Sequence, residues 1–350
     1  MVVNNSYIMK TGLNAFDTAR AWGWAVVLNV LTEDEVSIHD EEWRFRVQPC
    51  SSPVHPDHAI WNTLAGRTLF FEQNWQRVFI TQKGKWKENV EKAQRVLQQH
   101  GNLLQSMQNP DGIPFGKGES LPGGLDPGGF KGLRQTTRAQ YGEGQLEVSE
   151  DHWALACLGM AACGTYYYAA EAGQSNWLVL LPVPHQVRMS YFRDVYDLFR
   201  LSGLRYHGIQ NAAAHYAVQL AERLRRRSAA QGGLQDCYSA ILYFRLFGAG
   251  QQTKPAQGNQ LRLEPLMNAI QHDPHRSQRM LNWLDYCFRL GATKGAENLA
   301  LATTELVMRW DLEAYDRLVR IAVRHQAQGR MERLPEKDTL EEIIRHVHIQ

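Results

Sequence analysis

Apolar and polar positions along the chain change their period near its middle. Phe16, Ala19, Gly23, Val26, Val27 and Val30 recur at helical spacing, which predicts a helix starting near Asn14 or Asp17 and running to about Leu31. A strand pair follows: Val36 to Ile38, an acidic turn from His39 to Glu42, then Trp43 to Val47. In its second strand Trp43, Phe45 and Val47 alternate with Arg44 and Arg46, so one face is apolar and the other cationic. That cationic face suits either water or nucleic acid. Cys50 to Pro56 reads as a loop, Asp57 to Phe71 as a helix and Trp75 to Gln82 as a strand. Lys85 to Met107 reads as one long helix with Val90, Ala93, Val96, Leu97, Leu103 and Leu104 inward. Ser149 starts a helix from Asp151 to Glu171 that is apolar nearly all round, the pattern of a buried central helix. Trp177 to Leu181 reads as a buried strand ended by Pro182-Val-Pro184.

From residue 186 onward the pattern is almost wholly helical, with spans near 186–202, 209–228, 233–247, 262–271, 274–290, 295–309, 311–327 and 338–348. Asp273 before Pro274 is a helix cap followed by proline at the first helical position. The expected fold class is α+β: an irregular mixed α/β domain over 1–185, then a helical bundle over 186–350.

Composition adds one asymmetry. The chain has 350 residues, 44% hydrophobic and 21% charged, with a net charge of only +2. Residues 1–187 nevertheless carry a net −4 and residues 188–350 a net +6, and 20 of the 23 cations in the second part are arginine. Arginine forks onto phosphate and carboxylate, so this imbalance favours a polyanionic partner over a neutral one; paired, solvated helix faces are the alternative. No apolar run reaches the length of a membrane span, and the amino terminus lacks the order of a signal peptide. Five scattered cysteines without a paired motif suggest buried thiols in a reducing, cytoplasmic setting.

The candidate chemistry centres on Asn109 to Gln145, which holds 10 of the chain's 28 glycines. Its part from Pro127 to Gly142 carries Lys131, Arg134 and Arg138 and no acid. Glycines let backbone approach a ligand, and interleaved cations suit a nucleic-acid backbone. The candidate nucleic-acid-binding residues are therefore Lys117, Lys131, Arg134, Gln135, Thr136 and Arg138, with Gln135 and Thr136 as hydrogen-bonding groups for base edges. Arg225, Arg226 and Arg227 form a second basic run suited to phosphate or to a solvated helix end. A surface loop without a partner is the alternative for the glycine-rich stretch. No Walker, dinucleotide-binding, nucleophile-elbow or paired-cysteine zinc motif occurs. His55 and His58 have a spacing that two ligands of one metal share, without a third or fourth ligand nearby. The expectation is a binding subunit with no cofactor, no metal and no catalytic residue.

Three stretches carry a resemblance. They are TGLNAFDTARAWGWAVVLNVL (11–31) with the strand pair after it, PGGLDPGGFKGLRQTTRAQYG (122–142), and HWALACLGMAACGTYYY (152–168) followed by NWLVLLPVP (176–184). With an all-helical remainder, this layout resembles the large subunit of a type I CRISPR effector complex (Cascade), over residues 12–185. The resemblance implies a non-nuclease subunit near the crRNA 5′ handle. Such subunits read the protospacer-adjacent motif on double-stranded target DNA and assist duplex opening and R-loop formation. Their helical bundle packs along the other Cascade subunits, and some of these complexes serve transposition instead of antiviral defence. This chain is shorter than many such subunits and lacks the zinc-ligand cluster that some carry. A nuclease-like enzyme assembled only by the fold, or a helical scaffold whose arginines pair with acidic proteins, are the rival readings.

Overall fold

Each end of the chain is dominated by a different kind of packing, a sheet on buried helices first and helix on helix later. The computed structural model describes residues 5–32, 35–50, 75–82, 84–108, 115–122, 125, 147–171, 174–189, 204–231, 234, 236–249, 252–332 and 334–347. It is mixed α+β, with a sheet region towards the amino terminus and helices towards the carboxyl terminus. The chain divides into two compact units: residues 1–197 with 244–259, and residues 198–243 with 260–350.

In the first unit, α1 (Asn14–Thr32) and α5 (Glu150–Cys163) form the core. Every residue from Phe16 to Leu31 and from Trp153 to Cys163 is buried. The two helices meet through glycine: a Cβ on Gly23 would lie 1.9 Å from the Leu155 carbonyl oxygen, and one on Gly159 would lie 1.8 Å from that of Ala19. Only hydrogen at these positions lets the main chains touch. Strands β1 (Ser6–Met9), β2 (Val36–Glu41) and β3 (Arg44–Pro49) pack on α1. Trp24 Nε1 donates to Ser6 Oγ, and Trp22 Nε1 donates to the Pro182 carbonyl at 2.8 Å. Burying indole rings requires such partners for their N–H groups.

The sheet runs β1-β3-β2-β7-β8-β9, with β6 also pairing β7, where β6 is Thr165–Glu171, β7 Gln174–Met189, β8 Cys237–Ala249 and β9 Gln252–Arg262. The described registers are antiparallel. β7 meets β6 over 174–180 and β2 over 186–189, so Pro182 and Pro184 fall between the two registers, where no N–H is required. Short helices α2 (Trp75–Val78), α3 (Trp86–Gln98) and α4 (His100–Gln108) and the ribbon of β4 (Phe115–Ser120) with β5 (Glu147–Val148) complete the described part of this unit.

The second unit is built on α6 (Leu204–Gln231), kinked at Gly208. It packs on α8 (Pro274–Gly291) and α9 (Glu297–Arg309), with α7 (Glu264–His272), α10 (Leu312–Ala327) and α11 (Lys337–Arg345) around α8 and α9. Asp273 caps α8 by accepting from the backbone N–H groups of His275 and Arg276, as its place before Pro274 leads one to expect.

The structure departs from the periodicity in five places. Trp75–Val78 is a helical turn, not a strand. The helix expected over 85–107 is interrupted at Gln99, within the sequence run Gln98 to Asn102, which has no apolar residue. The helix expected to reach Glu171 stops at Cys163, where Thr165 to Tyr168 instead pair with Trp177 to Leu180. Residues 186–189, expected to open a helix, continue β7. The helix expected over 233–247 is the strand β8, whose Tyr, Ile and Phe residues favour a pleated surface and whose continuous apolar run has no helical period of its own. Consequently the second unit is not one continuous segment after residue 185.

Candidate nucleic-acid interface

The strand registers sort side chains onto two faces. Ile8, Phe45, Val47, Ile38, Val187 and Met189 point inward and are buried. The opposite face carries rows of Tyr7, Arg46, His39 and Gln186, of Met9, Arg44 and Glu41, and of Gln48, Ser37 and Arg188. Among these residues the Glu41 carboxylate is shared by two guanidiniums. Arg44 Nε donates to Glu41 Oε2 at 2.9 Å, and Arg46 Nε lies 2.7 Å from Glu41 Oε1. The Arg44 guanidinium also sits 3.9 Å over the Tyr7 ring, which holds it flat against the sheet. Burial, then Arg46 and Arg188, hold His39 below its ordinary pKa, so it stands neutral at pH 7, one nitrogen donating and one accepting. Lys10 and Asp40 pair at the rim of this sheet and cancel each other. The expected apolar-in, cationic-out pattern of this strand pair is present, except that Trp43 lies in the turn and is 72% exposed.

A second feature of the same unit is an aromatic cleft of ≈ 500 Å³. Phe79 and Ile80 form its buried floor, and Trp86, Tyr168 and Trp177 its walls, with Gln76 and Arg77 at its edge. Tyr168 and Trp177 are direct cross-strand partners with ring centroids 4.9 Å apart. Tyr166, two residues earlier on the same strand, is buried, whereas Tyr168 is 54% exposed.

The arginine run lies on α6. Arg225 grips Glu222 through Nε at 2.8 Å and Nη2 at 3.0 Å, and Arg226 Nε adds a third bond to the same carboxylate at 2.9 Å. Arg227 pairs with the buried Asp236 at 3.2 Å. Arg225 and Arg227 are thereby committed within the fold, and Arg226, 71% exposed at its side chain, is the member that faces water. Lys117 falls in β4, whose Gly118 lies so close to the Val148 carbonyl that a Cβ would sit 2.0 Å from it. Lys131, Arg134, Gln135, Thr136 and Arg138 lie outside the described residues, as do His55 and His58.

Two buried polar clusters remain. Asp17 accepts from the Thr11 and Gly12 N–H groups, Thr11 Oγ1 and Arg20 Nη2, while Arg20 Nη2 also donates to the Met9 carbonyl. Arg20 Nη1 donates to His152 Nδ1 at 3.2 Å, which makes that nitrogen the acceptor. Burial and then the Arg20 charge push His152 down to about 4, so it stays neutral at pH 7. In the second unit His215 Nε2 donates to Asp285 Oδ1 at 2.8 Å and its ring stacks on Phe288 at 4.8 Å. The imidazole is fully buried and the carboxylate partly buried, the reverse of what a base needs to reach a substrate. Neither cluster was visible in the sequence, because its members lie 132 and 70 residues apart. Among the described residues no group of three potential ligands is placed to hold a metal, and no helix is long and apolar enough to cross a membrane. The thiols of Cys157, Cys163 and Cys287 are buried, and burial raises that of Cys157, so it is a poor nucleophile.

No family model matches the chain. It is similar to an uncharacterized protein of Archaeoglobus fulgidus, with 24% identity over 344 residues that cover 93% of this chain and 92% of that one.

Proposed function

We propose that the chain is a non-catalytic nucleic-acid-binding subunit of an RNA-guided, Cascade-like complex. In this reading its partners are crRNA, double-stranded target DNA and the other subunits. The outer face of the sheet supports the reading most directly: Arg44 and Arg46 share the single carboxylate of Glu41, and neutral His39 and the amides of Gln48 and Gln186 lie on the same face. Cations of this kind position a phosphate backbone, and neutral donors and acceptors beside them suit base edges or ribose hydroxyls. The stretch from Lys131 to Arg138, with Lys117, is the proposed reader of the short motif on duplex DNA, and Arg226 is the exposed member of the 225–227 run.

The test is binding of the purified chain to fluorescent duplex DNA and RNA, measured by anisotropy over a series of salt concentrations. Replacing Arg44 and Arg46 together by Ala removes two phosphate partners, so the slope of log K against log salt falls by about 1.8 on duplex DNA. Glu41→Gln, which removes the opposing carboxylate, tightens binding. Unchanged affinity and slope in both variants would refute the sheet face as an interface. Recovery of the chain with a short RNA of constant 5′ end tests the RNA-guided part; recovery without RNA counts against it.

A further inference from the structure

The aromatic cleft is not used by the sheet-face reading, and its construction is specific. Two stretches far apart in sequence bring rings to one place: Phe79 after α2 with Trp86 at the first turn of α3, and Tyr168 with Trp177 across β6 and β7. Its volume of ≈ 500 Å³ lies within the range of small-molecule sites, about 300–1,000 Å³. Burying one aromatic ring against others is ordinary core packing. Leaving a ring such as Tyr168 more than half exposed beside an open cleft is not, since its apolar faces remain wet.

Charge decides between an apolar and an anionic occupant. Arg77 lines the cleft, is exposed, and has no ion-pair partner among the described residues. Lys87 lies 5.7 Å over the Trp86 ring and likewise has none. Lys92, further along α3, is held by Glu119 and Glu150 and is not available in the same way. A greasy peptide side chain would leave both free cations unused. A flat ring joined to a phosphate engages the walls and the rim together, and the Gln76 amide at the edge offers a donor and an acceptor to that ring.

We infer that this cleft holds one unpaired nucleobase of a single strand, stacked among Trp86, Tyr168 and Trp177, with the adjoining phosphate on Arg77. Stacking on aromatic faces is tolerant of base identity, so the cleft reads strandedness and not sequence. A base still paired in a duplex presents no face to it. The inference rests on the nucleic-acid reading above and deepens it: it assigns a place for a separated strand.

The probe is a short oligothymidylate with one central 2-aminopurine, whose fluorescence is quenched when it stacks. With wild-type protein the signal is quenched on binding. Tyr168→Ala, which removes an exposed ring, weakens single-strand binding about tenfold and abolishes the quench, while Tyr168→Phe retains both. Arg77→Ala lowers the single-strand salt slope by about 0.7, whereas Tyr168→Ala leaves the slope unchanged. Thermal melts confirm that the variants remain folded. Absence of a quench with wild-type protein, or Tyr168→Ala binding within twofold of it, overturns the inference. So does adenosine monophosphate binding as tightly as the strand, which would make the cleft a free-nucleotide site. The two failures separate cleanly. If duplex and RNA binding respond to the Arg44 and Arg46 variant but single-strand binding ignores Tyr168, only the cleft assignment falls. If no nucleic acid binds at all, the broader reading falls with it.

Discussion

Gly159 sits where α5 touches the main chain of α1, and Gly159→Ala measures how much that contact matters. The added Cβ would meet Ala19 O at 1.8 Å and the Gly23 nitrogen at 2.8 Å, against an ordinary contact of 3.4 Å or more. The obstacle is backbone on a helix buried from Phe16 to Leu31, so no side chain can swing aside. The helices must part by roughly 1.6 Å on that line, which opens gaps along the rest of their contact. Overpacking of this kind costs about 3 kcal/mol at the upper end of the usual range. Alanine returns about 1 kcal/mol through its better helix propensity. The net loss of about 2 kcal/mol lowers the melting temperature by roughly 4–8 °C for a unit of this size. Circular dichroism melts of wild type and variant measure it. Gly84→Ala is the control: nothing lies within 4 Å of its added Cβ, so its melt stays within about 1–2 °C of wild type. A Gly159→Ala protein that melts at or above the wild-type temperature would refute the reasoning, because the close approach would then not constrain the core.

Two further outcomes follow from the buried charges. His152 in the folded chain takes a proton only near pH 4, against an ordinary value of 6.5. Between these values the unfolded chain binds a proton that the native chain refuses. Stability therefore falls as pH drops through that window, by at most about 1.4 kcal/mol per pH unit from this group. His152→Asn keeps an oxygen for Arg20 to donate to and flattens the dependence; urea midpoints across the window that are equally steep in both proteins would count against it. Glu222 answers Arg225 and Arg226 at once, and Arg225 is nearly buried. Glu222→Ala therefore costs roughly 2 kcal/mol, between the limits for exposed and buried pairs, whereas Arg226→Ala stays within about 0.5 kcal/mol in the same urea titration.

Much of the first unit was legible because its residues obey one period at a time. The apolar stripe of α1, the alternation around Phe45 and Val47, and the nearly unbroken apolar run of α5 each state which side is buried, and the register agrees. The helices from Glu264 onward were legible for the same reason, helped by caps such as Asp273. Strand β8 was not, since its middle, Ala240 to Phe244, is buried on both sides and has no polar face to reveal its period. The end of α5 at Cys163 depends on a partner, Trp177 to Leu180, that lies beyond any local window. The arginine run at 225–227 was visible as charge, but not that Glu222 and Asp236 neutralise much of it. The aromatic cleft stayed hidden because Trp86 and Tyr168 share no spacing; only the meeting of α3 with the β6–β7 pair relates them.

The interleaving of the two units sets an order of assembly during synthesis. A ribosome that has delivered residues 1–197 has delivered α1, α5 and strands β1 to β7, but residues 244–259 of the same unit are still uncoded into chain. The edge of β7 that receives β8 must therefore wait, unpaired, while residues 198–236 of the other unit emerge first. An open strand edge is the part of a nascent protein most prone to pairing with the wrong neighbour. A cut at residue 185 would fall inside β7 and make that wait permanent, leaving residues 244–259 of the first unit on the other piece. Dissection of this chain into separately expressed halves has to follow its three crossings between units, not its order along the sequence.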